Sequence, residues 1–310
     1  MYHLNMSRYI PGMVHQSETT GYLREDVYES EISSVLQGCY MRVILLTCLV
    51  LLSGCTKFIF FPMKEHYITP DIIGVMYEDR YIETTDGIEL HGWKLFSEGD
   101  TKATLLFLHG NAENISTHIA NVYWLVDYGY DVYLFDYRGY GQSEGEAELD
   151  PIIDDMQIMI GDVLADLDSD EQLIIMGQSL GASLSIYSVA HSQYRERIAA
   201  LVSVAAFSDY HEIAQDALSS SWMFWLFQWP LSKTINNTYS PVKTVDRVSP
   251  VPFYVLHSHE DGIIGFHHAQ TLYDAALQPK QLVVLDGAHN ATFNLDSNRQ
   301  RLLDVLKVIE

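Results

Sequence analysis

Ser179 stands in the middle of Gly177-Gln178-Ser179-Leu180-Gly181, directly after the apolar run Ile174-Ile175-Met176. Ala182, Ser183, Leu184, Ile186, Tyr187 and Val189 then follow at helical spacing. A buried strand that turns sharply into a helix, with serine at the turn, is the context a G-x-S-x-G nucleophile requires. The two glycines leave room where strand and helix cross closely. The first N–H groups of the helix can face the negative charge that develops on an attacked carbonyl. The implied chemistry is acyl transfer, and it needs a base, a group that orients the base, and oxyanion donors.

The partners are sought in the order serine, acid, histidine. Phe253-Tyr254-Val255-Leu256 reads as a strand and runs into His257-Ser258-His259-Glu260-Asp261. Gln281 to Leu285 reads as the last strand and runs into Asp286-Gly287-Ala288-His289-Asn290. His289 is therefore expected to take the proton from Ser179, and Asp261 to hold the imidazole, with Glu260 as the rival acid. Taken alone, Asp261 reads equally well as a solvated loop acid and His289 as a turn residue. Their joint position after two successive strands favours the catalytic reading. The expected oxyanion donors are main-chain N–H groups of Leu180 and of Asn111, with Ala112 adjacent. His109 is expected to shape that loop.

The elements that must position these groups alternate. Tyr77–Glu83 and Ile88–Phe96 read as a hairpin about Thr85-Asp86-Gly87, and Ala103–Leu108 as a strand buried on both faces. A helix is expected over Ile115–Val126, stopped by Gly129, then a strand over Asp131–Phe135. Asp150-Pro151 is expected to cap and open the next helix. The elbow strand and helix come next, then strands Ala199–Val204 and Val251–Leu256, helix Ala269–Leu277, the last strand, and helix Asp296–Ile309. This alternation predicts an α/β fold with a mostly parallel central sheet, helices on both faces, and functional loops at the C-terminal strand ends. Residues 207–248 break the pattern and are expected to form a short helical cap. Within it, Trp222 to Trp229 can be core packing, an acyl-binding wall or a lipid-facing patch.

With 310 residues, 48% hydrophobic and 19% charged, the chain suits one large domain plus extras. A net charge of -23 argues against a nucleic-acid partner. Met41-Arg42, the apolar run Val43–Leu52 and Ser53-Gly54-Cys55 read as an export signal too short for a comfortable membrane span. Leu52-Ser53-Gly54-Cys55 closely resembles a bacterial lipoprotein lipobox. That resemblance implies cleavage before Cys55, lipid on its sulfur, and a membrane-anchored protein on the cell envelope facing away from the cytoplasm. An uncleaved signal anchor is the alternative. Residues 1–40 then read as an upstream extension or a cytoplasmic tail, 41–54 as signal, 55–70 as a tether either packed on the domain or resting on lipid, and 71–310 as the catalytic domain. Cys39 and Cys48 precede the cleavage point, so the mature domain would carry no free thiol or disulfide.

From about Phe61 onward the chain resembles an α/β-hydrolase of the Bem46-like group, also described as serine aminopeptidase S33-like. The resemblance rests on Glu83-Thr84-Thr85-Asp86-Gly87 with His91-Gly92-Trp93, and on Leu108-His109-Gly110-Asn111-Ala112. It also rests on Asp136-Tyr137-Arg138-Gly139-Tyr140-Gly141, the elbow, Asp261, and Gly287-Ala288-His289-Asn290. It implies Ser179, Asp261 and His289 as the triad. Two departures touch the acid loop: His257-Ser258 stands where the group has His-Gly, and Gly265 where it has proline. No cofactor is expected, and no dinucleotide fingerprint is present. A metal is not expected either, because the adjacent His267 and His268 should point apart on a helix and no acid has clear ligand spacing. The expected function is serine-dependent hydrolysis of a small-molecule acyl substrate, an ester or alternatively a thioester or amide. Peptide bonds are disfavoured because no amine-binding carboxylate is evident. The competing reading is a non-catalytic envelope lipoprotein that uses the fold for binding. Nothing in the sequence indicates an oligomeric state.

Overall fold

The computed structural model describes residues 60–169, 171–219 and 228–309. The lipobox, with Cys55, and everything before it lie outside the described residues, as do residues 220–227, which take in the aromatic cluster from Trp222 to Phe227. Eight strands form one sheet: β1 (Tyr77–Glu83), β2 (Glu89–Leu95), β3 (Ala103–Leu108), β4 (Tyr130–Phe135), β5 (Leu173–Gln178), β6 (Ile198–Val204), β7 (Phe253–Ser258) and β8 (Lys280–Leu285). Their spatial order is β8-β7-β6-β5-β3-β4-β2-β1. Strands β3 to β8 run parallel, and β1 and β2 are antiparallel additions at one edge.

Alternation along each strand divides the core in two. Leu106 and Leu108 of β3 join Ile175 of β5 in a layer with α1 (Leu149–Asp166), α2 (Leu180–Ala190) and α4 (Phe266–Ala275). Leu105 and Phe107, with Ile174 and Met176, face the opposite layer, made by the 115–128 turns and α5 (Asp296–Ile309). The central strands are apolar on both sides because both sides are covered.

Three local expectations need correction. The stretch Ile115–Val126 does not form one helix. It breaks into an α-turn (Ile115–His118) and two 3-10 turns (Ile119–Asn121 and Tyr123–Tyr128). Its β-branched and aromatic side chains are weak helix formers. In addition, the Asn121 side chain donates to the His118 carbonyl at 3.2 Å, competing with the backbone. Gly129 does end the segment, with φ 90°. In α1 the cap position is Glu148, and Asp150 is the second residue of the helix, where its charge faces the helix N-terminus. The expected Ala269–Leu277 helix starts earlier, at Phe266.

Residues 60–70, the described part of the tether, are packed on the domain. The Asn114 side chain donates to the Met63 and Glu65 carbonyls, and His66 Nε2 lies 2.8 Å from Asp136 Oδ2. In the 207–248 insertion, α3 (Tyr210–Ser219) is capped by Asp209, whose carboxylate accepts from the His211 and Glu212 N–H groups. A short helix (Gln228–Ser232) packs on α3. Among the described residues no helix is long and apolar enough to cross a membrane.

Candidate active site

The elbow is held by close backbone contact. A Cβ on Gly181 would lie 2.2 Å from the Leu108 carbonyl oxygen, and one on Gly177 would lie 2.5 Å from the Ala182 main chain. Side chains at either place would push β5, α2 and the β3 loop apart. Ser179 itself has φ 55° and ψ -116°, an unfavourable conformation for a residue with a side chain. The strain is held in place by main-chain bonds: Ser179 N–H donates to Val204 O at 2.8 Å, and Ser179 O accepts from Ser183 N–H at 3.1 Å.

Asp261 and His289 meet across their loops. His289 Nδ1–H donates to Asp261 Oδ2 at 2.6 Å, which makes Nε2 the unprotonated nitrogen of the neutral ring. Asp261 Oδ1 accepts from the Ile263 and Ile264 N–H groups, both at 2.9 Å. Burial of this carboxyl would raise its pKa. The His289 bond and the two N–H groups outweigh that, so it sits below the ordinary carboxylate range. The rival acid, Glu260, is engaged elsewhere and accepts from Gly287 N–H at 3.0 Å.

Both sequence departures are accommodated. Ser258 Oγ accepts from Glu260 N–H at 3.0 Å and closes the turn into Asp261. Gly265 has φ -62°, an angle proline also adopts.

Ser179 and His289 line one cavity of about 440 Å³ together with Gly110, Asn111 and Ile263. Among the described residues no hydrogen bond joins the Ser179 hydroxyl to His289. A larger hollow of about 720 Å³ lies over β1 and α1, and its lining holds no serine, cysteine or histidine. Of the two, the smaller is the one that brings Ser179 and His289 together.

Leu180 opens α2, so its N–H has no partner within the helix. The Asn111 carbonyl accepts from the Tyr140 hydroxyl at 2.7 Å, which orients the peptide unit that carries the adjacent Ala112 N–H. His109 is fully buried and stacked on Tyr137 at 3.9 Å, and burial pushes its pKa down to about 3. It stays neutral and shapes the loop.

Several lining residues escaped the sequence reading. His118 Nε2 donates to Ala112 O at 3.0 Å, and Asn121 donates to Gln178 Oε1 at 2.9 Å. Glu113 is the one carboxylate among the lining residues. Asn298 of α5 holds the histidine loop, donating to the carbonyls of Asp286 (2.8 Å) and Thr292 (2.7 Å) and accepting from Asp286 N–H (2.9 Å). Gln178 sits inside the elbow motif, but nothing in the sequence marked Asn298.

The metal argument also rested on wrong geometry. The His267 and His268 rings lie side by side, with centroids 4.2 Å apart, and both approach Asp216.

The chain is 32% identical over 230 residues to the uncharacterized protein YfhR of Escherichia coli, covering 71% of this chain and 77% of that one. The family described as "Serine aminopeptidase, S33" matches residues 99–243. The chain belongs to the α/β-hydrolases. The hydrolase is also 28% identical over 223 residues to the α/β-hydrolase domain-containing protein WAV2 of Arabidopsis thaliana, covering 69% of this chain and 71% of that one. Its fold is shared with a Pyrococcus furiosus esterase at TM-score 0.66 and 18% identity, covering 80% of the hydrolase and 97% of the esterase.

Proposed function

We propose that this hydrolase cleaves carboxylic esters through an acyl-enzyme on Ser179. The carrying observation is that the strained elbow serine shares a cavity with His289, itself bonded to Asp261 at 2.6 Å. Ser179 Oγ attacks the acyl carbon while His289 Nε2 takes its proton. The oxyanion draws hydrogen bonds from the Leu180 and Asn111 N–H groups. His289 then protonates the departing alkoxide. Water, deprotonated by the same imidazole, attacks the acyl-enzyme, and its collapse returns the proton to Ser179. Asp261 keeps the imidazole in the productive tautomer and stabilises its charged form.

A second reading has one specific support. Glu113 at the cavity wall suits a substrate with a free amine, and the matched family carries an aminopeptidase description. The test is turnover of p-nitrophenyl esters graded in acyl length beside aminoacyl p-nitroanilides. Ester turnover that drops at least about 1,000-fold in Ser179→Ala is expected. Anilide turnover above ester turnover would move the assignment to the second reading, and turnover surviving in Ser179→Ala would remove both. Lipid on Cys55 and an envelope location complete the proposal, and they are supported by the lipobox sequence.

A further inference from the structure

Beside the acid loop, two helices bring together a set of side chains that acyl transfer does not use. Glu212 and Asp216 are one turn apart on α3 and share a face, while His267 and His268 stand in the first turn of α4. His267 Nε2 lies 3.6 Å from Glu212 Oε1 and 3.4 Å from Asp216 Oδ2. His268 Nδ1 lies 3.5 Å from Glu212 Oε2, and its Nε2 lies 3.2 Å from Asp216 Oδ2. One ligand atom from each of Glu212, His267 and His268 fits within a mutual spacing of 4.8 Å. Ligand atoms around tetrahedral zinc, with bonds of about 2.0–2.1 Å, lie about 3.3–3.4 Å apart. The separations of His267 Nε2 from Glu212 (3.6 Å) and Asp216 (3.4 Å), and of His268 Nε2 from Asp216 (3.2 Å), bracket that edge length, with His268 Nδ1 left to Ser208.

Gly265 points the same way independently. Its φ of -62° and ψ of 146° are open to any residue, so the backbone does not demand glycine. The His267 ring does: a Cβ on Gly265 would lie 2.6 Å from His267 Nδ1 and 2.8 Å from Cε1. Only a bare main chain lets that ring fold back toward α3. Ser208 adds an outer shell, with Oγ 2.8 Å from His268 Nδ1 while also donating to Glu212 Oε2 at 2.8 Å. His268 is fully buried and His267 is half exposed, so the cluster is anchored on one side and open to an entering ion on the other.

We propose that Glu212, Asp216, His267 and His268 form a zinc site that clamps α3, the root of the 207–248 insertion, to α4. None of the four lines the cavity that holds Ser179, so the ion is structural and does not supply the nucleophile. The site stands whether or not the esterase reading holds.

The test uses untagged full-length protein in detergent, stripped with EDTA and dialysed against micromolar zinc chloride. Metal content is read by mass spectrometry and unfolding by Tm. One zinc per chain and a Tm rise of about 5 °C over the stripped protein are expected at saturating metal. His267→Ala, Glu212→Gln and Gly265→Ala should each lose the zinc and the Tm rise while melting like the stripped parent in EDTA. Gly265→Ala is the sharpest of the three, because it leaves all four ligands in the chain and only displaces one ring. A parent protein that retains no zinc, or zinc content unchanged in any of these variants, would overturn the proposal.

Discussion

At the elbow, Ser179 follows β5, which is buried along its whole length between β3 and β6. Its position is set by carbonyl groups so close to Gly177 and Gly181 that no side chain fits. His289 follows β8, an edge strand whose residues are mostly part-exposed. Its loop is held by a handful of side-chain bonds from Asp261, Glu260 and Asn298. Ser179 is thus fixed by the packing of the whole sheet, and His289 by a few polar atoms that could be removed one at a time. In the first region a substitution should cost stability before function, and in the second function before stability.

Four substitutions test that division, in descending order of effect. Asp261→Asn should lower kcat/KM roughly 1,000- to 10,000-fold, because the amide cannot hold the productive tautomer, while stability near neutral pH changes far less. It should also flatten the acid limb of stability. Asp261 has a folded pKa below its unfolded one, so its contribution is present above the unfolded value of about 3.9 and is lost as pH falls through the folded value. Denaturant titrations of parent and variant across that range would show it. Gly181→Ala should cost about 3 kcal/mol in urea unfolding, since the added methyl meets main-chain oxygens that cannot move aside. Asn298→Ala should cost about 2 kcal/mol and lower kcat more than it raises KM, as the histidine loop loses three bonds. Ser179→Gly should gain about 1 kcal/mol over Ser179→Ala, because glycine relaxes the φ of 55° that alanine keeps. If Gly181→Ala proved neutral, or Asn298→Ala left kcat untouched, the contrast between the two regions would fail.

The sequence carried the parts of this protein that depend on local pattern. β3 runs from Ala103 to Leu108 as its apolar run predicts, and α5 matches the expected Asp296–Ile309 span. The elbow was readable because glycine, serine and flanking periodicity sit next to each other. Asp261 and His289 were readable through chain order and strand ends, although their 2.6 Å bond was not. Illegible features are those made by distant side chains. The Asn298 bonds to the histidine loop depend on how α5 docks, and the polar wall of Asn121 and Gln178 depends on a helix breaking into tight turns. The His267 and His268 rings were expected to point apart, and they lie side by side because helix geometry alone does not show the room that Gly265 leaves. The Trp222–Trp229 question stays with residues outside the described set, apart from Trp229, which is exposed.

The central claim is that Ser179 is the nucleophile, and covalent capture tests it most directly. Protein treated with a fluorophosphonate probe and read by intact mass and peptide mapping should carry one adduct, on the peptide holding Ser179, and Ser179→Ala should carry none. An unlabelled folded parent, or an adduct that persists in Ser179→Ala, would contradict the account.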